Sequence, residues 1–236
     1  MALDRLFLVG VNHLGAGTQT RERVAFRSGE LAQACRTFLE MGLREVVVTS
    51  TCSRIEVMGL GETPESVNGI RSWFLERGVA DIEKALYCNT GREAVHHLFR
   101  VTGGLDSWIV GECEILAQVK TAYQTAVAAR TTGRILNRVF QTALSAGKTV
   151  RAQTGIQNGI HSIGGAAALL VSRIFRGDTT GQTLVVGAGN AAEAVVKHLA
   201  AKNFSSILVA NRTFEKAKAL ADALGGKAVT YEHGLD

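Results

Sequence analysis

The run Gln182-Thr-Leu-Val-Val186, followed at once by Gly187-Ala188-Gly189-Asn190-Ala191-Ala192, constrains the fold of this chain more than any other feature. Apolar, β-branched runs of this kind read as buried parallel strands. The glycines then require a tight turn directly into a helix, expected to reach about Ala201. Ser206-Ile-Leu-Val-Ala210 reads as a second strand, Thr213 to Leu224 as a helix, and Lys227-Ala-Val-Thr230 as a third strand. This alternation is the order of a parallel sheet with crossover helices.

Within that order the glycine turn has a chemical reading. Gly187 permits the turn, Gly189 lets the backbone approach a pyrophosphate, and Ala192 is small enough for close helix–strand packing. The helix N-terminus offers free N–H groups and a positive dipole end to phosphates. A site for NAD would place a carboxylate about 20 residues on, at the ribose 2′-hydroxyl. This chain has Asn211-Arg212-Thr213 there. A guanidinium suits a 2′-phosphate, so NADPH is expected, held by Gly187, Ala188, Gly189, Asn190, Ala191, Ala192, Asn211, Arg212 and Thr213.

The first part of the chain follows another pattern. Strands are expected at Leu6–Asn12, Arg44–Ser50, Arg54–Leu60 and Ala85–Cys88. Helices are expected from about Ser28, as a hydroxyl cap, and from Glu62-Thr63-Pro64-Glu65, with proline in the first turn. Strand–helix–strand–strand–helix–strand is the split βαβ order of a ferredoxin-like sheet. Apolar residues at three- and four-residue steps then predict helices from about Arg92 to Arg176, where Arg134, Arg138, Lys148 and Arg151 read as a solvated face or an RNA contact. The expected fold class is α/β: a ferredoxin-like α+β domain with a helical extension over 1–155, then a partial Rossmann-type dinucleotide-binding domain over 156–236.

Bulk properties narrow the setting. No apolar stretch reaches the ~18 residues of a membrane span, and the N-terminus lacks the basic and apolar regions of a signal peptide. A cytoplasmic protein without a membrane partner is therefore expected. The net charge of +5 suits an anionic partner such as nucleic acid. Cys35, Cys52, Cys88 and Cys113 have no CxxC spacing, so neither a disulfide framework nor a metal site is indicated. Cys35 lies on the apolar side of a helical pattern and reads as core.

Cys52 differs. It stands between two strands among Ser50, Thr51 and Ser53, with Arg54 two residues on, and a nearby cation favours a thiolate. Thiolates attack esters, and an acyl-thioester is electrophilic enough to accept hydride from NADPH. Cysteine and NADPH together suggest reduction of an acyl group to an aldehyde.

Ser50-Thr-Cys-Ser-Arg-Ile-Glu56 resembles the S-T-C-N-R-x-E signature of the glutamyl-tRNA reductase family. Gly10-Val-Asn-His13, Arg21-Glu-Arg-Val-Ala-Phe26, Ala94-Val-His-His-Leu-Phe-Arg-Val101, Gly104-Leu-Asp-Ser107, Gly111-Glu112, Ile115-Leu116 and Gln118-Val-Lys120 continue the resemblance, as do the Gly187 turn and Asn211-Arg-Thr213. The resemblance implies that Cys52 attacks the ester of glutamyl-tRNA and that NADPH reduces the thioester to glutamate-1-semialdehyde, the first step of five-carbon tetrapyrrole synthesis. It implies a catalytic role for His97 and substrate contacts from Thr51, Ser53, Arg54, Ser107, Glu112, Cys113, Glu114 and Gln118. Arg54 and Ser107 would take the substrate's charged and polar ends. Glutamyl-tRNA, a homodimer in a full-length form and the downstream semialdehyde aminotransferase are the implied partners.

The departures bear on specificity. Ser53 replaces the signature asparagine, and Glu112-Cys113-Glu114 stands for Glu-Pro-Gln. An ionised Glu114 would repel a glutamate side chain. Leu14 and Gly17 replace a lysine and a proline, and Asn190-Ala191-Ala192 replaces Glu-Met-Gly. The chain stops soon after the third strand of its dinucleotide domain, which reads as a fragment or a truncation with an uncovered sheet edge. Two alternatives stay open: cysteine-dependent aminoacyl transfer or hydrolysis without reduction, and a non-catalytic tRNA- or cofactor-binding regulator.

Overall fold

The structure is a computed structural model that describes residues 2–63, 65–77 and 81–232. The chain forms two compact units, Met1–Gln157 and Asn158–Asp236.

In the first unit, β1 (Leu6–Asn12) leads through a polar loop to α1 (Thr18–Val24), then a 3-10 turn (Ser28–Glu30) enters α2 (Leu31–Glu40). β2 (Leu43–Ser50) and β3 (Arg54–Gly61) form a hairpin, followed by α3 (Ser66–Arg77), the one-turn α4 (Ile82–Ala85) and β4 (Tyr87–Thr90). The order β2-β3-β1-β4, with each neighbouring pair antiparallel, is the ferredoxin-like arrangement. Every residue of β1 and β3 is buried, so the sheet is covered on both faces. Phe38 of α2 and Trp73 of α3 meet edge to face at 5.2 Å, with Phe26 stacked on Trp73. Three long helices, α5 (Gly91–Gly103), α6 (Glu114–Ala128) and α7 (Arg134–Gln153), pack on each other and on the sheet. Glu45 of β2 ties α7 to the sheet by accepting hydrogen bonds from the Ile135 and Leu136 amides at its N-terminus.

Several local expectations are corrected. α1 was not expected, because Thr-Gln-Thr-Arg-Glu-Arg-Val has no apolar period. Ser28 does not cap α2; Glu30 instead reaches back to the Arg27 amide at 2.9 Å. β4 begins two residues later than expected, at Tyr87, because Ile82–Ala85 takes a helical turn. Pro64, expected in the first turn of a helix, lies outside the described residues. Cys35 is buried as expected.

The second unit holds α8 (Ile163–Ile174), β5 (Thr183–Val186), α9 (Asn190–Ala201), β6 (Ile207–Ala210), α10 (Phe214–Leu224) and β7 (Lys227–Val229). Its strands are parallel in the order β5-β6-β7, the first half of a Rossmann-type sheet. Its core gathers Ala168, Val196, Leu199, Phe204, Ile207, Val209 and Leu220. Among the described residues β5 stands at the end of this strand order, and Leu184 and Val186 on it are exposed, as are Leu170 and Ile174 on α8. Among the described residues no helix is long and apolar enough to cross a membrane.

Candidate functional site

The β2–β3 hairpin places Cys52 at its tip. Thr51 closes the turn: its amide donates to the Arg54 carbonyl at 2.8 Å, and its hydroxyl accepts from the Ser53 and Arg54 amides. With these groups satisfied locally, the tip projects and Cys52 is exposed. Two neighbours hold it from outside the hairpin. The His13 amide donates to the Ser53 carbonyl at 2.8 Å, and Arg21 Nε of α1 donates to the Cys52 carbonyl at 3.0 Å. Arg21 is itself buried and also donates to the Ala16 carbonyl.

Below the tip lies a buried charge network. Arg54 and Glu56 are two residues apart on β3 and so share one face of the strand. Arg54 donates to Glu56 Oε1 at 2.9 Å and to Asp106 Oδ2 at 3.0 Å, and its other terminal nitrogen donates to the Asp106 carbonyl. Glu56 Oε1 also receives the Tyr87 hydroxyl at 2.5 Å and lies 2.8 Å from His97 Nε2. Burial alone would raise the Glu56 pKa, but the Arg54 charge and the bonds from His97 and Tyr87 outweigh it and hold it at about 2. Burial and the Glu56 carboxylate push the Tyr87 phenol well above its ordinary value. Against an ionised Glu56, His97 Nε2 is the donor, which leaves Nδ1 as the nitrogen free to accept a proton.

Arg54, expected at the substrate, is fully buried, and its terminal nitrogens reach Glu56 and Asp106. Its grip on Asp106 instead anchors the segment that carries Ser107. Ser107 Oγ donates to Glu112 Oε1 at 3.2 Å, and Glu112 Oε2 accepts the Glu114 amide. Glu112 is in turn fixed by Arg151 of α7, which donates to its carbonyl and to the Thr102 carbonyl. Arg134, Arg138 and Lys148 are exposed, whereas Arg151 is a half-buried clamp and not part of a solvated face. Cys113 and Glu114 are exposed, Gln118 is half-buried, and Gln157 Nε2 donates to Cys113 Sγ.

The contacts thus bring Thr51, Cys52, Ser53, Arg54, Ser107 and Glu112 into one connected cluster, with His97 joined through Glu56. Arg21, Tyr87 and Asp106 belong to it and were not singled out from the sequence. Glu56 carried a readable signal, because its spacing from Arg54 predicts a shared face. Trp108 completes the surroundings: His13 meets its ring edge-on at 5.4 Å, and the Arg21 guanidinium lies over it at 5.6 Å.

In the second unit the glycine turn has the conformation its sequence demanded. Gly187 has φ +114°, a region L side chains rarely adopt, and a side chain there or at Gly189 would meet only open space. Gly189 starts α9 with no side-chain cap, so the first-turn amides of Asn190, Ala191 and Ala192 are available to an anion. Asn211 Nδ2 donates to the Thr213 carbonyl at 2.9 Å, shaping the loop after β6, and Arg212 and Thr213 are exposed. Uncapped first-turn amides beside an open glycine turn, with an exposed guanidinium after the next strand, fit a dinucleotide phosphate.

These features define a two-unit α/β protein that pairs a ferredoxin-like unit displaying a cysteine with a Rossmann-type unit built for a dinucleotide. Comparison with known proteins gives the family. The model for "Glutamyl-tRNAGlu reductase, N-terminal domain" matches residues 9–154, and that for "Shikimate / quinate 5-dehydrogenase" matches residues 169–234. The glutamyl-tRNA reductase of Nitratidesulfovibrio vulgaris (strain DP4) is 39% identical over 230 residues, covering 96% of this chain and 52% of that protein. That of Akkermansia muciniphila is 40% identical over 233 residues, covering 97% and 68%. The solved structure of glutamyl-tRNA reductase from Methanopyrus kandleri aligns with a TM-score of 0.66 at 37% identity, covering 98% of this chain and 55% of that one. The chain belongs to the glutamyl-tRNA reductase family, and it spans about half the length of most of the curated relatives it matches.

Proposed function

We propose that this chain carries the acyl-accepting part and the first half of the cofactor-binding part of an NADPH-dependent glutamyl-tRNA reductase. The observation that carries this reading is Cys52, exposed at a hairpin tip that Arg21 and His13 brace from outside. The Cys52 thiolate attacks the ester carbonyl of glutamyl-tRNA; a C–S bond forms, the C–O bond breaks, and the 3′-hydroxyl leaves with a proton. His97, with Nε2 committed to Glu56, uses Nδ1 to take the thiol proton and returns it to the leaving 3′ oxygen. Thr51, Ser53, Ser107, Cys113, Glu114 and Gln118 form the surroundings of the glutamyl group, and Glu112 offers a carboxylate to its α-ammonium. Arg54 acts as a positioning residue through Asp106. Gly187, Ala188, Gly189, Asn190, Ala191 and Ala192 cradle the cofactor phosphates, with Asn211, Arg212 and Thr213 at the 2′-phosphate. NADPH, when bound, supplies the hydride that takes the thioester to glutamate-1-semialdehyde. The reading extends to a cytoplasmic setting in tetrapyrrole synthesis, a homodimer of the full-length form and hand-over to the semialdehyde aminotransferase.

Exposed Glu114 favours one alternative, acyl transfer or hydrolysis without reduction. Incubation with glutamyl-tRNA, with and without NADPH, separates the two. Aldehyde formed only with NADPH supports the reductase; tRNA deacylation indifferent to NADPH supports the alternative. Unchanged deacylation by Cys52→Ser would sink both.

A further inference from the structure

We propose that Trp108 is the stacking platform for the 3′-terminal adenine of the aminoacyl-tRNA, an inference that rests on the acyl-acceptor reading of Cys52. The chain has two tryptophans. Trp73 is core, at 8% exposure, whereas Trp108 is 52% exposed. Its ring is nonetheless fixed. His13 meets it at an interplanar angle of 78°, and the guanidinium of Arg21 lies over it. About half of the side chain stays open to solvent beside these two contacts, and that open surface is what a planar partner would meet.

Its position supplies the argument for which partner. Arg21 touches both the ring and the Cys52 carbonyl, which puts the ring centroid within about 10 Å of that oxygen. In an aminoacyl-tRNA the acyl carbon is joined to the terminal base by a single ribose. A substrate whose ester reaches Cys52 must therefore set its base down about one sugar away, which is the reach of Trp108. Base–aromatic stacking is sequence-tolerant and needs no hydrogen-bond partner, and a cation behind the ring adds to it. Leu105 and Val110, on the same segment, are exposed apolar residues as well.

Because Trp73 is buried, fluorescence quenching by an added oligonucleotide reports Trp108. The test titrates the protein with the oligoribonucleotide ACCA and with the same oligonucleotide ending in an abasic ribose, each with and without saturating NADP⁺, whose oxidised nicotinamide does not absorb tryptophan emission. Quenching by ACCA that persists with NADP⁺, with little from the abasic form, is the expected result. Equal quenching by both, none by either, or quenching by ACCA that NADP⁺ abolishes would overturn the proposal, the last by assigning the ring to the cofactor. A kinetic arm compares Cys52 acylation by glutamyl-tRNA with acylation by a glutamyl aryl ester, which has no adenine. In Trp108→Ala the preference for glutamyl-tRNA should fall by about 5- to 100-fold, and Trp108→Phe should keep most of it. An unaltered preference in Trp108→Ala would also overturn the proposal. Failure of both acyl donors on the unmodified chain would instead reject Cys52 as acceptor, a result separable from the ACCA titration, which needs no acylation.

Discussion

His97 Nε2 lies 2.8 Å from Glu56 Oε1, and that single oxygen also receives Arg54 and Tyr87. The imidazole is thus oriented from beneath by a carboxylate that stays ionised down to about pH 2. Glu56→Gln removes one of the two carboxylates on buried Arg54 and leaves Asp106 in place, so it costs less than the about 3–5 kcal/mol of a buried charge stripped of its partner. The sign of the pH dependence follows from a folded pKa below the ordinary 4.5. The carboxylate's contribution is complete above the unfolded value and is lost as pH falls from there through about 2. Urea denaturation should show a large gap between the unmodified chain and Glu56→Gln at neutral pH, closing in acid; a gap that widens in acid would reject the assignment.

Tyr87→Phe isolates one arm of the same network. The phenol donates to Glu56 without contacting Arg54 by a hydrogen bond, and its ring sits 5.4 Å from that of His97. Losing one hydrogen bond to a charged group costs about 1.5–3 kcal/mol. Thermal denaturation should show that loss, and Cys52 acylation should slow because His97 loses part of its support.

How much of this was legible in the sequence depends on the range of the contact. The strand and helix order was readable because each element carries its own apolar period, and the Gly187 turn because only glycine tolerates its φ of +114°. The Arg54–Glu56 pairing was implicit in the two-residue period of a strand. The second partner of Arg54 was not readable, because closeness along the chain says nothing about contacts across the fold and Asp106 is separated from it by 52 positions. Arg21 was missed for the same reason, since α1 has no apolar stripe to announce it and its contact with Cys52 spans 31 positions.

Gly187→Ala tests the dinucleotide turn. No neighbour blocks a Cβ there, so the cost is conformational, about 1–2 kcal/mol for an L residue at positive φ. The added methyl would also stand where the backbone approaches the pyrophosphate. That strain is common to the free and bound chain and shows as lost stability, so a fall of about tenfold or more in NADPH affinity by isothermal titration, while Cys52 acylation continues, would report the methyl against the pyrophosphate. An affinity equal to that of the unmodified chain would remove this turn from the cofactor site.

Arg21→Lys separates the bracing of the nucleophile from its charge. A lysine keeps the cation, but a single ammonium cannot hold the Cys52 and Ala16 carbonyls in the fixed fork that Arg21 uses. The hairpin tip would then be free to shift, and misplacement of a reacting group by about 1 Å costs about 100-fold in rate. Pre-steady-state measurement of thioester formation should therefore show a drop of about 10- to 100-fold in Arg21→Lys. If charge alone mattered, the lysine variant would retain nearly full activity. Cys52→Ser supplies the contrast: the side chain is exposed, so stability should stay within about 0.5 kcal/mol while thioester formation disappears. An Arg21→Lys protein that acylates at the rate of the unmodified chain would leave the hairpin's own Thr51 bonds as sufficient to hold the thiol in place.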